Sequence, residues 1–505
     1  MPPMQDRTAM PEPIVPDAEL VQRLGGDFCL RHEMLPLRLP DGRRVLAFSG
    51  EVDPDALDWS IYLAGFPTAP EALADTGDRI QRALAVLRGE QTASGESGLF
   101  SSLAEEELAV GEGSTLDEIR RKSQAEPVVR LADHIFDEAL RLRATDIHLE
   151  PDEGGVNVRL RRDGLLRDFL VLPRWVQASL TSRIKILAEL DISEKRLPQD
   201  GRIQRSWQGE TLDVRVSTLP TRLGEKVVLR LLRQDASVVD LETVGMPPRI
   251  RTTFEALCDR PQGMIFVTGP TGSGKSSTLY ASLRRLLPRD INITTIEDPI
   301  EYRLRGANQV QILEKAGLTF AEALRSILRQ DPDVILVGEI RDPETAAIAV
   351  QAAQTGHLVL STLHTNDSVG AVTRLSDLGV PRFLVASAVL GVAAQRLVRV
   401  LCPHCLGWGE PSDELIRQFP SGTRLPSRVP HAVGCPECDG EGYKGRTGIF
   451  ELLTVDDPLR EAIVRGEPET VLRRVSGMRP LLDDGLDKVE AGTTTLEEVL
   501  RVGLR

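Results

Sequence analysis

The chain has 505 residues, enough for about three or four domains at roughly 150 residues each. With 41% apolar and 27% charged residues it can form packed cores beneath a soluble surface, which excludes disorder, collagen or a bare coiled coil as a description of the whole chain. The formal charge of −14 argues against a general affinity for nucleic acid, which needs a basic footprint, and leaves room only for a local basic patch.

The N-terminus, with Asp6, Arg7 and Glu12, lacks the apolar core of a signal peptide. No apolar run reaches the roughly 18 residues of a membrane span. The best candidate, residues 383–394, is too short and runs into Arg396 and Arg399, so a buried helix is predicted there. The protein is expected to stay in the cytoplasm, or on the cytoplasmic side of a membrane through a partner.

Residues 1–20 are rich in proline and charge. Two apolar runs between 28 and 48, separated by Pro40-Asp41-Gly42, predict a hairpin. Ile80, Leu84 and Leu87 have helical spacing and complete a small α+β domain over 1–90. Residues 91–122 contain Gly95, Gly98, Gly111, Gly113 and the run Glu105-Glu106-Glu107, as a flexible acidic linker would; a solvated helix over 103–110 is the alternative. A second α+β domain is predicted over 123–235. Val128, Leu131, Ile135 and Ala139 mark a helix, runs at 147–149, 156–160 and 166–170 mark strands, residues 177–190 mark another helix, and strands return at 211–216 and 226–232.

From residue 264 continuous apolar strands at 264–268, 291–296, 334–337 and 357–361 alternate with helices, the pattern of a parallel sheet covered on both faces. Gly269-Pro270-Thr271-Gly272-Ser273-Gly274-Lys275-Ser276 fits G-x-x-x-x-G-K-[ST] between the first of these strands and a helix. Glycines let backbone N–H groups turn toward phosphate oxygens, the helix N-terminus adds partial positive charge, Lys275 reaches the β/γ-phosphates, and the Ser276 hydroxyl ligates Mg²⁺; Ser277 follows in the first turn. The strand at 334–337 ends in Gly338-Glu339, a carboxylate able to polarise water or to pair with Arg341. Glu297, Asp298 and Glu301 crowd the end of another strand and need a metal or arginines for balance; a turn initiated by Asp298-Pro299 is the other reading. His357 and His364 are seven apart, so strand alternation puts them on opposite faces, and a strand ending before His364 frees that ring toward a nucleotide; satisfied core histidines are equally compatible.

Six cysteines are present. Cys29 and Cys258 stand alone, whereas Cys402-Pro-His-Cys405 and Cys435-Pro-Glu-Cys438 are two C-x-x-C turns. Two such turns complete a tetrahedral site for Zn²⁺; a redox pair and free thiols are the alternatives.

Residues 269–276, 294–301, 335–342 and 356–365, with Ala144-Thr145-Asp146-Ile147-His148-Leu149-Glu150 and 195–202 in the second domain, resemble the secretion ATPases of the type II/type IV pilus superfamily over about residues 120–455. The resemblance implies an α/β protein. A RecA-like P-loop ATPase domain (236–505), with a tetracysteine zinc insert at 402–443 and C-terminal helices at 455–505, is preceded by a PAS-like α+β domain (123–235) and a small N-terminal α+β domain. It implies ATP, Mg²⁺ and Zn²⁺ as ligands. Glu339 is then the catalytic glutamate, Glu297, Asp298 and Glu301 support metal and water, and His357 and His364 sense the γ-phosphate. Arg215 and Arg230 reach nucleotide when two domains close, unless they form ordinary ion pairs; Arg202 is a further candidate. Within the family the chain is most similar to the type II secretion branch, since pilus-extension ATPases have a longer N-terminal region and retraction ATPases lack the four-cysteine insert. The expected function is an ATP-hydrolysing translocase driving pseudopilus assembly and protein export. The expected partners are a homo-hexamer, the cytoplasmic domain of an inner-membrane protein L docked by residues 1–90, and a platform protein F, with no nucleic acid. A pilus-extension ATPase and a low-turnover nucleotide-gated scaffold remain as alternatives; a DNA motor fits the charge poorly.

Overall fold

The computed structural model describes residues 116–207, 210–233 and 240–503, and before them Met34–Arg38, Arg44–Ser49, Glu71–Asp75 and the single positions Asp17, Leu20, Val21, Leu24 and Cys29. Strands β1 (Met34–Arg38) and β2 (Arg44–Ser49) pair antiparallel with Met34 opposite Phe48, as the turn signal between them requires. Strand β3 (Glu71–Asp75) joins parallel to β2, an addition its sequence does not advertise. The helix expected at 80–87 and the linker at 91–115 lie outside the described residues. The last part of the expected linker is the helix Leu116–Ser123, which packs on Gln177–Leu187.

The second domain is built on β4 (Asp146–Asp152), β5 (Gly155–Arg162), β6 (Leu165–Leu172), β7 (Gln199–Trp207), β8 (Glu210–Thr221) and β9 (Gly224–Arg233), ordered β6-β5-β4-β9-β8-β7 and antiparallel throughout. Val156, Val158 and Leu160 alternate inward and meet Val128, Leu131 and Ile135 of the helix Glu126–Arg141 in one core. The helix at 177 stops at Leu187, three residues before its apolar pattern does, where Glu189 turns left-handed at φ 57°. Strand β7 escapes sequence reading because an edge strand has little to bury; most of its residues are polar.

The third domain has a sheet of β10 (Gly263–Thr268), β11 (Ile293–Glu297), β12 (Asn308–Gln311), β13 (Val334–Val337), β14 (Leu358–Leu363), β15 (Val389–Leu401) and β18 (Tyr443–Thr454), ordered β12-β11-β13-β14-β10-β15-β18. All pairs are parallel except β15 with β18. One strand, β14, thus separates the strand that leads to Lys275 from the strand that leads to Glu339. The continuous apolar runs follow from burial on both faces: Met264, Ile335 and Val359 pack into one core, and Ile265, Leu336 and Leu360 into another. Polar β12 is the second edge strand that sequence periodicity misses.

The helix expected over 383–394 is corrected. The helix Arg382–Ala388 ends midway, Phe383 stands 61% exposed, and the rest of the run belongs to β15. Residues Val389 to Ala394 lie between β10 and β18, so their apolarity reflects a central strand and not a helix face.

Between β15 and β18 the chain makes an insert containing β16 (Leu406–Gly409) and β17 (Val429–Ala432). Phe419 and Val429 of the insert share a core with Leu486, Val489, Leu496 and Val499 of the last two helices, Leu481–Glu490 and Leu496–Gly503. The insert therefore leans on the C-terminal helices and has little core of its own.

The turn joining β5 to β6 docks on the end of the insert. Arg162 pairs with Asp439 at 2.7 Å, Arg167 with Glu441 at 2.7 Å, and Arg446 with Asp163 at 3.6 Å, while Gly445 N–H donates to Asp163 Oδ2 at 3.2 Å. Charges alternate across the contact, so each side is complementary only to the other. Partly exposed pairs contribute about 0–1 kcal/mol each, which makes the contact a releasable one. We expect Arg162→Glu combined with Arg167→Glu to broaden the distribution of distances between spin labels on the two domains. An unchanged narrow distribution would mean that the ion pairs do not hold the domains.

Candidate functional site

Parallel strands gather the loops that follow them at one edge of the sheet, and the residues singled out by motif divide by whether they reach it. After β10 the chain turns through Gly269, Gly272 and Gly274 at φ 146°, 79° and 86°, angles that strain any side-chain-bearing residue. Gly274 then opens the helix Lys275–Leu286 without a side-chain cap, which leaves first-turn N–H groups for an anion. Pro270, Thr271 and Gly272 form the exposed rim, and Ser276 and Ser277 are half-buried at the helix start. Lys275 folds back over the loop, its Nζ donating to the Gly269 carbonyl at 2.9 Å and the Pro270 carbonyl at 3.1 Å. Burial pushes its pKa down to about 8, against the attraction of Glu339 and with the repulsion of Arg396. An ammonium held this way gains from a phosphate.

Beyond β13, Glu339 lies at the same edge. Its carboxylate pairs with Arg341 at 2.5 Å and lies 3.4 Å from His364 Nε2. Strand β14 ends at Leu363, so His364 is free of the alternation that would bury it and stands exposed. Partial burial lowers the His364 pKa and Lys275 lowers it further, against the pull of Glu339, which favours the neutral ring. Thr362 Oγ1 donates to the Gly338 carbonyl at 2.7 Å, and Thr268 Oγ1 meets Thr365 Oγ1 at 2.7 Å, so the loops after β10, β13 and β14 are tied together.

One expected site residue is not brought to this edge. His357 precedes β14, at the opposite end of the strand and about 20 Å from His364 by strand rise. Its Nδ1 bonds the Ala352 carbonyl at 2.9 Å, so the ring has a partner within the chain. Glu297 closes β11 at the site edge, beside Gly338, but is 5% exposed, and its carboxylate accepts from Tyr280 OH, Thr295 Oγ1 and Gln309 Nε2. Those partners satisfy it inside the protein. Asp298 is exposed and Glu301 half-buried at the mouth of the site.

The second domain presents a row of charged residues toward these acids. Arg202, Arg215, Arg230, Asp146 and Arg161 are directly opposed across β7, β8, β9, β4 and β5, so they share one face. Arg230 Nε donates to Asp146 at 2.9 Å, and Arg202 pairs with Asp213, so these two have counter-charges within their own sheet. Arg215 does not. Its Nη2 is buried without a hydrogen-bond partner; burial lowers its pKa, and the carboxylates that oppose this are Glu301 and Asp298 of the third domain. An orphaned guanidinium nitrogen facing the acids beside the phosphate loop is a donor suited to a further anion.

Residues that motif reading passed over sit on β15. Gln395 Oε1 accepts from Thr278 Oγ1 at 2.6 Å, and Arg396 Nη2 donates to the Asn366 carbonyl at 2.8 Å. The signal was available: two adjacent polar residues inside an apolar strand are costly to bury without a use.

At the far end of β15, Cys402, Cys405, Cys435 and Cys438 are buried with all four Sγ atoms within 4.8 Å of one another. Sγ separations of 3.9 Å (402–435), 3.8 Å (405–438) and 3.7 Å (435–438) are too long for disulfides. They match the roughly 3.8 Å edge of a tetrahedron with Zn–S bonds of about 2.3 Å. Cys435 N–H and Gly442 N–H point at Cys438 Sγ, at 3.2 and 3.1 Å, as donors to a thiolate do.

A family model described as "Type II/IV secretion system protein" matches residues 121–501. A "Type II secretion system ATPase E" from Vibrio cholerae is 50% identical over 81% of this chain and 80% of its own length. A "Type II secretion system protein HxcR" from Pseudomonas aeruginosa is 45% identical over 93% of this chain and 99% of its own. Among solved structures, the pilus retraction motor PilT with bound ADP is similar at 27% identity and a TM-score of 0.52, over 73% of this chain and 96% of that one.

The lowered pKa of Lys275 has a readable consequence. Below about 8 the amine is already cationic, and above it a bound phosphate must first draw a proton onto it. Affinity for a fluorescent nucleoside triphosphate is therefore expected to be flat up to pH 8 and then to fall by up to about tenfold per pH unit. Lys275→Arg, always charged, should flatten the profile; a wild-type profile flat to pH 9.5 contradicts this assignment.

Proposed function

The chain belongs to the type II/IV secretion system protein family, and from that membership we infer that it is the cytoplasmic ATPase of a type II secretion system, hydrolysing ATP to drive pseudopilus assembly and protein export. The observation that carries the reading is the convergence of Lys275, Glu339 and His364 at the edge of the sheet where the glycine loop leaves β10. ATP lies along residues 269–277, with loop N–H groups and Lys275 on its β- and γ-phosphates. Ser276 is the residue that would hold Mg²⁺, which when bound neutralises charge on the phosphate oxygens.

Glu339, fixed by Arg341 and with neutral His364 beside it, orients a water and accepts its proton. The water oxygen bonds the γ-phosphorus as the bond to the bridging oxygen breaks, leaving ADP and inorganic phosphate. Arg215 balances the charge that develops, an effect worth about 10³–10⁵ in rate where a cationic finger supplies it. Its orphaned Nη2 supports that role, and Asp298 and Glu301 act on it only through their field. Arg230, held by Asp146, keeps the row in register. Exchange of Arg215 between acid and phosphate would change the angle between the two domains, and that motion is the mechanical output.

The four cysteines would hold one closed structural Zn²⁺, which when bound contributes folding free energy to the insert, on the order of 10 kcal/mol or more in small zinc peptides. The reading extends to a homo-hexamer, to residues 1–90 docking on the cytoplasmic domain of inner-membrane protein L, and to the insert facing platform protein F. Among the described residues no helix is long and apolar enough to cross a membrane, so membrane placement in this reading comes from partners.

The decisive assay compares Mg²⁺-dependent ATP hydrolysis by the wild type and by Lys275→Ala across protein concentration. A loss of at least about a hundredfold is expected on removing a phosphate-binding charge; equal rates overturn the reading. For the cysteines, metal analysis should return about one zinc per chain. Cys435→Ser with Cys438→Ser should lower the melting temperature while leaving nucleotide affinity intact. Metal-free protein of unchanged stability contradicts the zinc assignment.

A further inference from the structure

Strand β15 runs beside β10 and past it, with Ala394 opposite Thr268, so its next two residues lie alongside the phosphate loop. Those residues are Gln395 and Arg396, only 1% and 7% exposed, and successive strand residues face opposite sides. The two side chains therefore engage the site from two directions.

Gln395 works from beneath the loop. Its Oε1 accepts the Thr278 hydroxyl at 2.6 Å, on the helix that Lys275 begins. Its Nε2 is buried without a hydrogen-bond partner and lies 2.8 Å from where a Cβ on Gly274 would sit, flush with the loop backbone. Ser273 Oγ, within the loop, is likewise buried and unpartnered. Unpaired buried donors are costly, so two of them against one loop mark a backbone arrangement completed by something else. Arg396 works from the other side. Its Nη2 donates to the carbonyl of Asn366, two residues after His364, and its Nη1 lies 3.1 Å from the position of a Cβ on Gly269. One guanidinium thus spans the start of the phosphate loop and the segment that carries His364.

We propose that Gln395 and Arg396 are positioning residues of the nucleotide site: Gln395 holds the phosphate loop in its binding shape by bonding Thr278 and packing under Gly274, and Arg396 sets the His364 segment against it. The inference rests on reading the Lys275 loop as the nucleotide site. The two residues then act on different constants. A loop held in shape lowers the ordering cost of binding, so Gln395 acts on affinity. Alignment of His364 with Glu339 matters for reaction of bound nucleotide, so Arg396 acts on turnover.

The test uses the full chain with a fluorescent ATP analogue for binding and phosphate release for turnover. Gln395→Met, similar in length but unable to hydrogen-bond, should raise Kd by about tenfold, the loss of one buried hydrogen bond, with kcat nearly unchanged. Arg396→Lys keeps the charge but loses the fork, and should lower kcat by about tenfold with Kd nearly unchanged. Should Gln395→Met fail to fold, Gln395→Glu keeps the size and the Thr278 bond while setting a negative charge against the loop, and should weaken binding at least as much. Lys275→Ala separates the two levels of inference. If it binds nucleotide like the wild type, the site reading itself falls. If it loses binding while folded Gln395 and Arg396 variants keep wild-type Kd and kcat, or change both constants together, the positioning roles alone are overturned.

Discussion

A buried ammonium and an uncapped helix N-terminus, aimed into the same glycine loop, are the constraint from which the rest of this molecule follows. Burial, with the repulsion of Arg396, pushes Lys275 down to a pKa of about 8 despite two carbonyl partners and the attraction of Glu339 and Glu301. The loop that holds it needs three positive-φ glycines and the hydroxyls of Thr268 and Thr278 as struts. Such a site is unfinished until a multiply charged anion enters it. The parallel sheet gathers that site, Glu339 and His364 at one edge, and burial of the sheet on both faces makes the gathering rigid.

Strand β15 connects this site to the remainder of the chain. It touches the phosphate loop at Gln395, anchors the C-terminal helix at Arg399, whose guanidinium pairs with Glu498 and lies over the Tyr443 ring, and ends at Leu401, just before Cys402. The insert that begins there carries the acids on which Arg162 and Arg167 of the second domain rest. Among the described residues the second domain meets the third weakly at the insert and sets an orphaned Arg215 in the field of Glu301. A contact of a few exposed ion pairs together with a donor lacking a partner describes an interface built to change when the anion arrives.

Much of this was legible in the sequence. The G-x-x-x-x-G-K-S motif, the apolar strand before Glu339 and the paired C-x-x-C turns are local patterns, and local patterns with strong chemistry survive folding. Edge strands β7 and β12 were hidden because a strand with one solvated side carries polar residues without alternation. The helix expected over 383–394 failed because a central strand and a buried helix look alike over a dozen apolar residues. The surroundings of His357 and Glu297 were hidden for another reason. Motif membership says that a residue lies near a strand end, but not which end or which way its side chain turns, and hydrogen bonds to Ala352 and Tyr280 settle that only in three dimensions. Arg396 and Gln395 could have been suspected from their polarity within an apolar strand, yet nothing local says that β15 overhangs the loop.

The most direct measurement is a structure of the full chain crystallised with a non-hydrolysable ATP analogue and Mg²⁺. The account expects phosphate density cradled by residues 269–276, the terminal group between Lys275 and Glu339, and Arg215 drawn from Glu301 toward it. Nucleotide density elsewhere, with the glycine loop vacant and Arg215 still among the acids, would contradict it.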